Sequence, residues 1–275
     1  MDVEQQVAAH YGRGDLERKI LDALAADGKD IEALTSLDLS ALDEFHLGRR
    51  AATDELARRL GLAPGMHVLD VGSGLGGPAR HFGEAFGCRV TGIDLTPEFV
   101  EAANALTRRL GLADRVAFQQ GSGLSLPFSA GAFDVATLIH VGMNIGDKAG
   151  LFREIRRVLK DGARFGVYDV MHVQPDAVPY PMPWATSPAT SFLEKPDSYR
   201  RLLGEAGFQL QSERNQRELA LRLSREMRER AAIQAAPPLG GHTLIGPASK
   251  EWFANVTATL ERGTIAPIEM IARAV

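Results

Sequence analysis

Val68-Leu69-Asp70-Val71-Gly72-Ser73-Gly74-Leu75-Gly76-Gly77 is a short apolar run that ends in glycines. The run reads as the first strand of a parallel sheet and the glycines as its turn into a helix. Glycine tolerates positive φ and lets a ligand approach the backbone, while the following helix offers free N–H groups and the positive end of its dipole. A cofactor containing adenosine is implied. Gly72, Gly74 and Gly77 satisfy G-x-G-x-x-G, which dinucleotide folds share with other nucleoside binders, so the loop alone does not choose between them. Asp94 lies 94 − 74 = 20 residues beyond Gly74, at the end of the next apolar run. A carboxylate there can accept hydrogen bonds from ribose hydroxyls.

Outward from this loop, short apolar runs alternate with amphipathic segments. Strands are expected at 66–71, 89–94, 116–119, 133–139, 164–169 and 208–212, and helices at 77–86, 97–110, 148–159 and 196–206. Pro97 and Pro196 suit the first turn of their helices. Strand and helix alternating at this spacing predict an α/β fold, a doubly wound, mostly parallel sheet with helices on both faces. Before Pro64-Gly65 the chain reads as helices, with apolar residues such as Leu16, Ile20, Leu24, Leu56 and Leu60 at helical spacing, interrupted at Gly28 and by the stretch Asp38 to Asp43. A loop rich in Pro and aromatics runs from Val173 to Phe192, longer than a connection requires. After Gln216 come a charged helix, 219–235, a Pro-Pro-Leu-Gly-Gly turn, a helix near 250–260 and an apolar end.

The sequence has 275 residues, 45% hydrophobic and 24% charged, with 28 Gly and 14 Pro. That composition belongs to globular enzymes and excludes disordered, collagen-like and disulfide-scaffold classes. Cys88 is the one cysteine, so neither an internal disulfide nor a multi-cysteine metal cluster can form, and a reducing cytoplasm fits best. The start, Met-Asp-Val-Glu-Gln-Gln, lacks the character of a secretory signal, and the longest apolar stretch, 133–145, is too short for a bilayer. A cytoplasmic protein with no membrane partner is expected. The net charge of −4, with Lys and Arg spread along the chain, offers no footprint for nucleic acid.

The ordered motifs narrow the reading. Asp70 with Gly72, Gly74 and Gly76 is followed by Thr91-Gly92-Ile93-Asp94-Leu95, Leu126-Pro127-Phe128, Phe133-Asp134-Val135, Glu154 to Leu159 with Lys160-Asp161-Gly162, and Ala206-Gly207-Phe208. In this order the chain resembles class I S-adenosylmethionine-dependent methyltransferases, notably the branch with sarcosine/dimethylglycine and quinone-type enzymes, to which Phe45-His46-Leu47-Gly48 is also similar. The resemblance spans about residues 43–215. It implies S-adenosylmethionine as cofactor and S-adenosylhomocysteine as product. The cofactor contacts it implies are Asp70, Gly72, Ser73, Gly74, Gly76, Asp94, Leu95, Ser122, Gly123, Leu124 and His140. One position departs from the family pattern: Gly121-Ser122-Gly123 stands where Gly-Asp-Ala is common, so an uncharged hydroxyl replaces the carboxylate that would accept from adenine. The family also implies a seventh, antiparallel strand between the fifth and sixth, assigned to 265–274. The expected organisation is then an N-terminal helical cap, 1–65; the cofactor-binding core, 66–215; a helical insertion, 216–263; and the final strand of the sheet, 264–275.

The expected reaction is in-line methyl transfer to nitrogen or oxygen of a small-molecule acceptor. A sulfonium is already an activated leaving group, so the protein has to align the nucleophile, exclude water and remove a proton. His140, at the end of the fourth strand, is the expected general base, the plainer alternative being a neutral histidine packed beside the cofactor. Asp147 suits a helix N-cap. Tyr11, His46, Tyr180 and Trp184 are candidate substrate contacts, each with ordinary packing as the alternative. No metal is expected, since no ligand cluster has metal spacing. A homodimer is compatible with the sequence. The competing functions are a nicotinamide-dependent oxidoreductase on the same loop, or a non-catalytic S-adenosylmethionine-binding subunit.

Overall fold

The computed structural model describes Glu4, residues 15–233, Gly246 and residues 249–275. After helices α1 (Leu16–Ala26), α2 (Ser36–Asp43) and α3 (Arg49–Leu60), the core alternates as β1 (His67–Val71), α4 (Gly77–Phe86), β2 (Arg89–Asp94), α5 (Pro97–Arg109), β3 (Val116–Gln120), β4 (Phe133–Ile139), α6 (Lys148–Val158), β5 (Leu159–His172), α7 (Pro196–Glu205) and β6 (Phe208–Asn215). Helices α8 (Arg217–Ile233) and α9 (Ser249–Arg262) precede β7 (Ile265–Ala274). The sheet order is β3-β2-β1-β4-β5-β7-β6, with β7 antiparallel to both neighbours and the other pairings parallel.

Both faces are covered, which is why the central strands are apolar throughout. On one face Leu151, Phe152 and Ile155 of α6 and Leu203 of α7 pack on Val71, Phe165 and Met270. On the other, Leu56 and Leu60 of α3 and Ala79 and Phe82 of α4 pack on Val68, Val90 and Tyr168. Each such buried Leu or Phe contributes about 1.5–3 kcal/mol. The order in which strands are added reverses between the parallel neighbours β1 and β4, so a crevice opens at their carboxyl ends, where open α/β sheets bind ligands.

Three expectations shift. The stretch from Asp38 to Asp43 does not interrupt the N-terminal helices; it is most of α2. Thr35 caps it, accepting from Asp38 N while the Asp38 side chain takes the Thr35 N–H at 2.9 Å, and Leu39 and Leu42 are buried. The fifth strand is longer than 164–169, because β7 pairs with it from Arg164 to His172. The sixth runs on to Asn215, whose partner is Ile268. Pro267 lies beyond that last pair, and its carbonyl accepts from Gln216 N at 2.9 Å, so the missing N–H interrupts no pairing with β6.

β7 is interior and buried over nearly its whole length. Removing it exposes the facing edges of β5 and β6, an aggregation surface. Truncation after Gly263 is therefore expected to yield insoluble protein, while replacing the exposed Arg222 and Arg225 by Gln leaves yield unchanged. A soluble, folded truncation in a sedimentation assay would contradict this.

Candidate active site

The loop after β1 is held to the end of β2. Gly72 N and Ser73 N both donate to the Ile93 carbonyl, at 2.8 and 3.0 Å, and Gly74 N donates to Asp94 Oδ2 at 2.8 Å. The other carboxylate oxygen of Asp94 accepts from Thr96 N at 2.9 Å, at the start of α5. Gly72 has φ 72° and a Cβ there would lie 2.3 Å from Val141; Gly74 has φ 54° and open space beside it. Gly76 answers to packing: its Cβ would lie 2.3 Å from the Phe118 ring. Behind the loop, the fully buried Arg80 of α4 donates to the Leu75 carbonyl at 2.6 Å and to Asp43 at 2.7 Å, tying the loop to α2.

These elements enclose a cavity of about 410 Å³. Asp70, Gly72, Ser73, Gly74, Asp94, Leu95, Ser122, Gly123, Leu124, His46 and His140 all line it. Gly76 does not, for the reason just given, and Tyr11 lies outside the described residues. Tyr180 and Trp184 do not line it either. Trp184 is buried with Met143, Val170, Met182 and Leu221, its indole donating to Ser191 Oγ at 3.0 Å, and Tyr180 packs on the same cluster. Their loop packs on the sheet edge beneath α8 and α9. Further walls are Phe45, noted in the sequence only as part of a family-like motif, and Phe192 and Trp252, aromatics with no local motif to mark them.

Several polar groups in the wall have unused capacity. Asp70 is 2% exposed; Thr137 donates to its Oδ1 at 2.7 Å and its Oδ2 has no partner, nor has the buried Ser73 Oγ. Burial, with the nearby negative charge of Asp94, pushes the Asp70 carboxyl up to about 6. Ser122 Oγ accepts from Leu124 N at 3.0 Å and donates to the Glu4 carboxylate, which also lines the cavity. A carboxylate thus stands beside the Ser122 hydroxyl, which replaces the family's usual Asp.

His140 sits at φ 54°, a left-handed conformation uncommon for a residue with a side chain. Its N–H donates to the Tyr168 carbonyl at 2.8 Å, and its ring lies 5.3 Å from that of Tyr168 and 5.8 Å from that of His46. Burial, with His46 beside it, holds the imidazole well below its usual pKa, and its Nε2 has no partner. His140 is therefore neutral through the physiological range, and any acidic limb it gives to turnover lies below the ordinary imidazole pKa. Asp147 caps α6, accepting from Gly150 N at 2.8 Å. A buried group beneath the 141–147 segment escaped sequence reading: Tyr199 donates to Asp169 at 2.5 Å, and Lys148 Nζ donates to the carbonyls of Ile145 and Phe192.

The charge of the wall is one-sided. Glu4, Asp43, Asp70, Asp94 and Asp147 line the cavity, and among the described residues no Lys or Arg does. Arg80 neutralises Asp43 from behind. Such a wall repels a dinucleotide's pyrophosphate and attracts a cation.

Residues 69–167 match the methyltransferase domain family. This stretch runs from β1 into β5 and is similar in sequence to that domain. Sterol 24-C-methyltransferase ERG6B of Gibberella zeae is 41% identical over 114 residues, 42% of this chain and 30% of that protein. The chain therefore matches about a third of the length of such relatives. Methyltransferase GfsG of Streptomyces halstedii is 30% identical over 176 residues, 63% of each chain. The crystal structure of the [4+2]-cyclase SpnF superposes with a TM-score of 0.69 at 26% identity, covering 98% of this chain and 96% of that one. The methyltransferase cofactor fits the residues present, with an unpartnered carboxylate oxygen on Asp70 for an ammonium, open space at Gly74, and acidic walls for a sulfonium.

Asp94→Ala removes the anchor of Gly74 together with the carboxylate expected from sequence to accept from ribose. At about 1.5–3 kcal/mol per charged hydrogen bond, it is expected to weaken S-adenosylhomocysteine binding by at least about tenfold without unfolding the chain. Calorimetry with unchanged affinity would remove Asp94 from the site.

Proposed function

We propose that this protein transfers a methyl group from S-adenosylmethionine to an oxygen or nitrogen of an uncharged, largely apolar small molecule. The observation that carries the reading is the acidic, cation-free wall around the glycine loop, which suits a sulfonium. Asp70 would meet the cofactor's ammonium, Asp94 its ribose, and Ser122 with Glu4 its adenine edge. The bound cofactor supplies an electrophilic methyl group. Phe45, Phe192 and Trp252 would wall the acceptor, so the N-terminal cap, 1–65, and the insertion, 216–263, would contribute its side of the cavity. A phosphorylated acceptor is disfavoured: no described Lys or Arg lines the cavity, and no three His, Cys, Asp or Glu among the described residues lie together to hold a bridging cation. His140 would meet the nucleophile, its neutral ring accepting the hydrogen bond of a hydroxyl or amine.

The raised Asp70 carboxyl gives a pH signature. In the free protein it is half protonated near pH 6 and ionised above it, and a cationic ligand prefers the ionised form. Affinity for S-adenosylmethionine should rise from pH 5 to pH 7, by up to about tenfold per unit below 6, and then level off. Asp70→Asn should flatten the dependence, measured by calorimetry in buffers of different protonation enthalpy.

The activity itself is tested by presenting the protein with S-adenosylmethionine and a panel of neutral alcohols, phenols, amines, sterols and their phosphorylated counterparts, with mass detection of products. Methylated oxygen or nitrogen on uncharged members is expected. Methylation at carbon alone, or of the phosphorylated members alone, would contradict the acceptor assignment. Mass-neutral rearrangement without methyl gain would instead match the cyclisation named for the SpnF neighbour. On the best acceptor, His140→Ala should lower turnover by about 10² or more while cofactor affinity holds. A fall in affinity at constant turnover would make His140 a packing residue.

A further inference from the structure

A proton must leave the acceptor when its oxygen or nitrogen is methylated, and His140 has no side-chain partner to orient it or pass the proton on. The neighbouring imidazole does. His46 also lines the cavity, with its side chain 3% exposed. Its Nε2 lies 3.1 Å from Thr53 Oγ1 and 3.1 Å from the Arg49 carbonyl, so that nitrogen carries the hydrogen and Nδ1 is left to the cavity. Thr53 Oγ1 in turn donates to Glu44 Oε2 at 2.6 Å. Thr53 and Glu44 are each 1% exposed, and Arg50 Nε lies 2.6 Å from the other Glu44 oxygen. Imidazole, hydroxyl and carboxylate thus form one chain that ends on Glu44, with the Arg49 carbonyl as a second acceptor for the Nε2 hydrogen.

The backbone is strained to hold this arrangement. Arg49 has φ 46° and, with His140, is one of the few described non-glycine residues in the left-handed region. Gly48 has φ 86°, and a Cβ there would lie 2.7 Å from Ala52 and 3.1 Å from the Tyr168 hydroxyl. That hydroxyl donates to the Leu47 carbonyl at 2.8 Å, pinning the turn that carries His46. Left-handed non-glycine residues persist where surroundings over-determine them, and they cluster at working sites.

We propose that His46, rather than His140, takes the acceptor's proton as general base, that His140 holds the acceptor in place by a hydrogen bond, and that Thr53 and Glu44 are the positioning residues through which the proton is drained. The proposal rests on the methyl-transfer reading above. As the acceptor atom bonds to the methyl carbon, the sulfur–methyl bond breaks and its electron pair stays on sulfur. The acceptor's proton goes to His46 Nδ1, the Nε2 proton to Thr53 Oγ1, and the Thr53 proton to Glu44 Oε2. Glu44 begins as carboxylate and ends as acid, offsetting the positive charge lost at sulfur. Because the proton enters one ring nitrogen as another leaves the second, the ring need not hold a charge, which burial forbids: it pushes His46 down to about 3.

Glu44 suits the receiving role. Burial, with Asp43 beside it, pushes its carboxyl up to about 7 against the opposing pull of Arg50 and Thr53. The groups facing this chain are Asp43 from α2, Arg49 and Arg50 from α3, Arg80 and His81 from α4, and His140 and Tyr168 from the ends of β4 and within β5. Arg80 is committed to Asp43, and Arg50 bridges Glu44 to His81. The ionised, proton-accepting form of Glu44 grows as pH rises through 7, so turnover should rise across the same interval.

The test uses the full chain with ¹⁵N-labelled histidine, free and saturated with S-adenosylhomocysteine, titrated by NMR. His46 should be the Nε2–H tautomer, with a shift that inflects near pH 7 in the wild type and in Thr53→Ser. The inflection should vanish in Thr53→Val and in Glu44→Gln while S-adenosylhomocysteine affinity stays unchanged. On an acceptor from the panel, Thr53→Val should lose about 10² or more in kcat at constant KM, and Thr53→Ser should recover it. An inflection that survives Thr53→Val, a wild type with none, or full turnover in Thr53→Val and Glu44→Gln would each overturn the relay. Failure of the wild type to bind S-adenosylhomocysteine would overturn the methyl-transfer reading instead, and the inflection would still be read on the free chain.

Discussion

The seam between the end of β1 and the end of β2 is the constraint on which the rest of the site depends. Three successive loop amides, Gly72, Ser73 and Gly74, are spent on the Ile93 carbonyl and the Asp94 carboxylate. A loop held this way cannot collapse into the crevice, and it presents glycine backbone where a ligand must come closest. Asp94 is costly to keep there, since burial raises its carboxyl against the hydrogen bonds that favour the charged form. Those bonds leave lone pairs free, because a carboxylate offers about four acceptor sites. One side chain can thus both fix the loop and receive a ribose.

Charge then selects among the ligands that the fold admits. A glycine loop of this kind serves pyrophosphates elsewhere, but pyrophosphate needs cations or an undiluted helix terminus. Here the wall is acidic, and the fully buried Arg80 guanidinium behind it is turned away toward Asp43 and Leu75. The same electrostatics disfavours a phosphorylated acceptor, whereas burial, against the pull of the acidic wall, keeps both cavity imidazoles neutral, as proton acceptors rather than cations. The competing oxidoreductase reading fails on this point and not on the fold.

Much of the frame was legible in the sequence because local pattern and tertiary environment agree there. Strands β1 to β4 are bounded by turn residues, and β1 and β4 are buried along nearly their whole length, so their apolar runs mark them directly. Strand β7 was legible only through family resemblance, since a mostly apolar ten-residue run fits a helix or strand alike. The helix α2 was missed because its polar residues, Thr35 and Asp38, form the cap that starts it, and they look like loop composition until their spacing is noticed. For the site, residues on the loop and strand ends were found, whereas Thr53, Glu44, Phe192 and Trp252 were not. They come from segments distant in sequence, and packing alone brings them to one cavity. Tyr180 and Trp184 show the reverse error: aromatics in a Pro-rich loop suggested a binding wall, and the chain uses them to seal α8 and α9 against the sheet.

Equilibrium binding by calorimetry, comparing S-adenosylmethionine with NAD on the same preparation, tests the central claim most directly. The acidic wall and the pinned glycine loop predict saturable binding of S-adenosylmethionine at one site per chain and none of NAD, with the preference reduced as salt screens the carboxylates. Binding of NAD in preference to S-adenosylmethionine would contradict the account at its root.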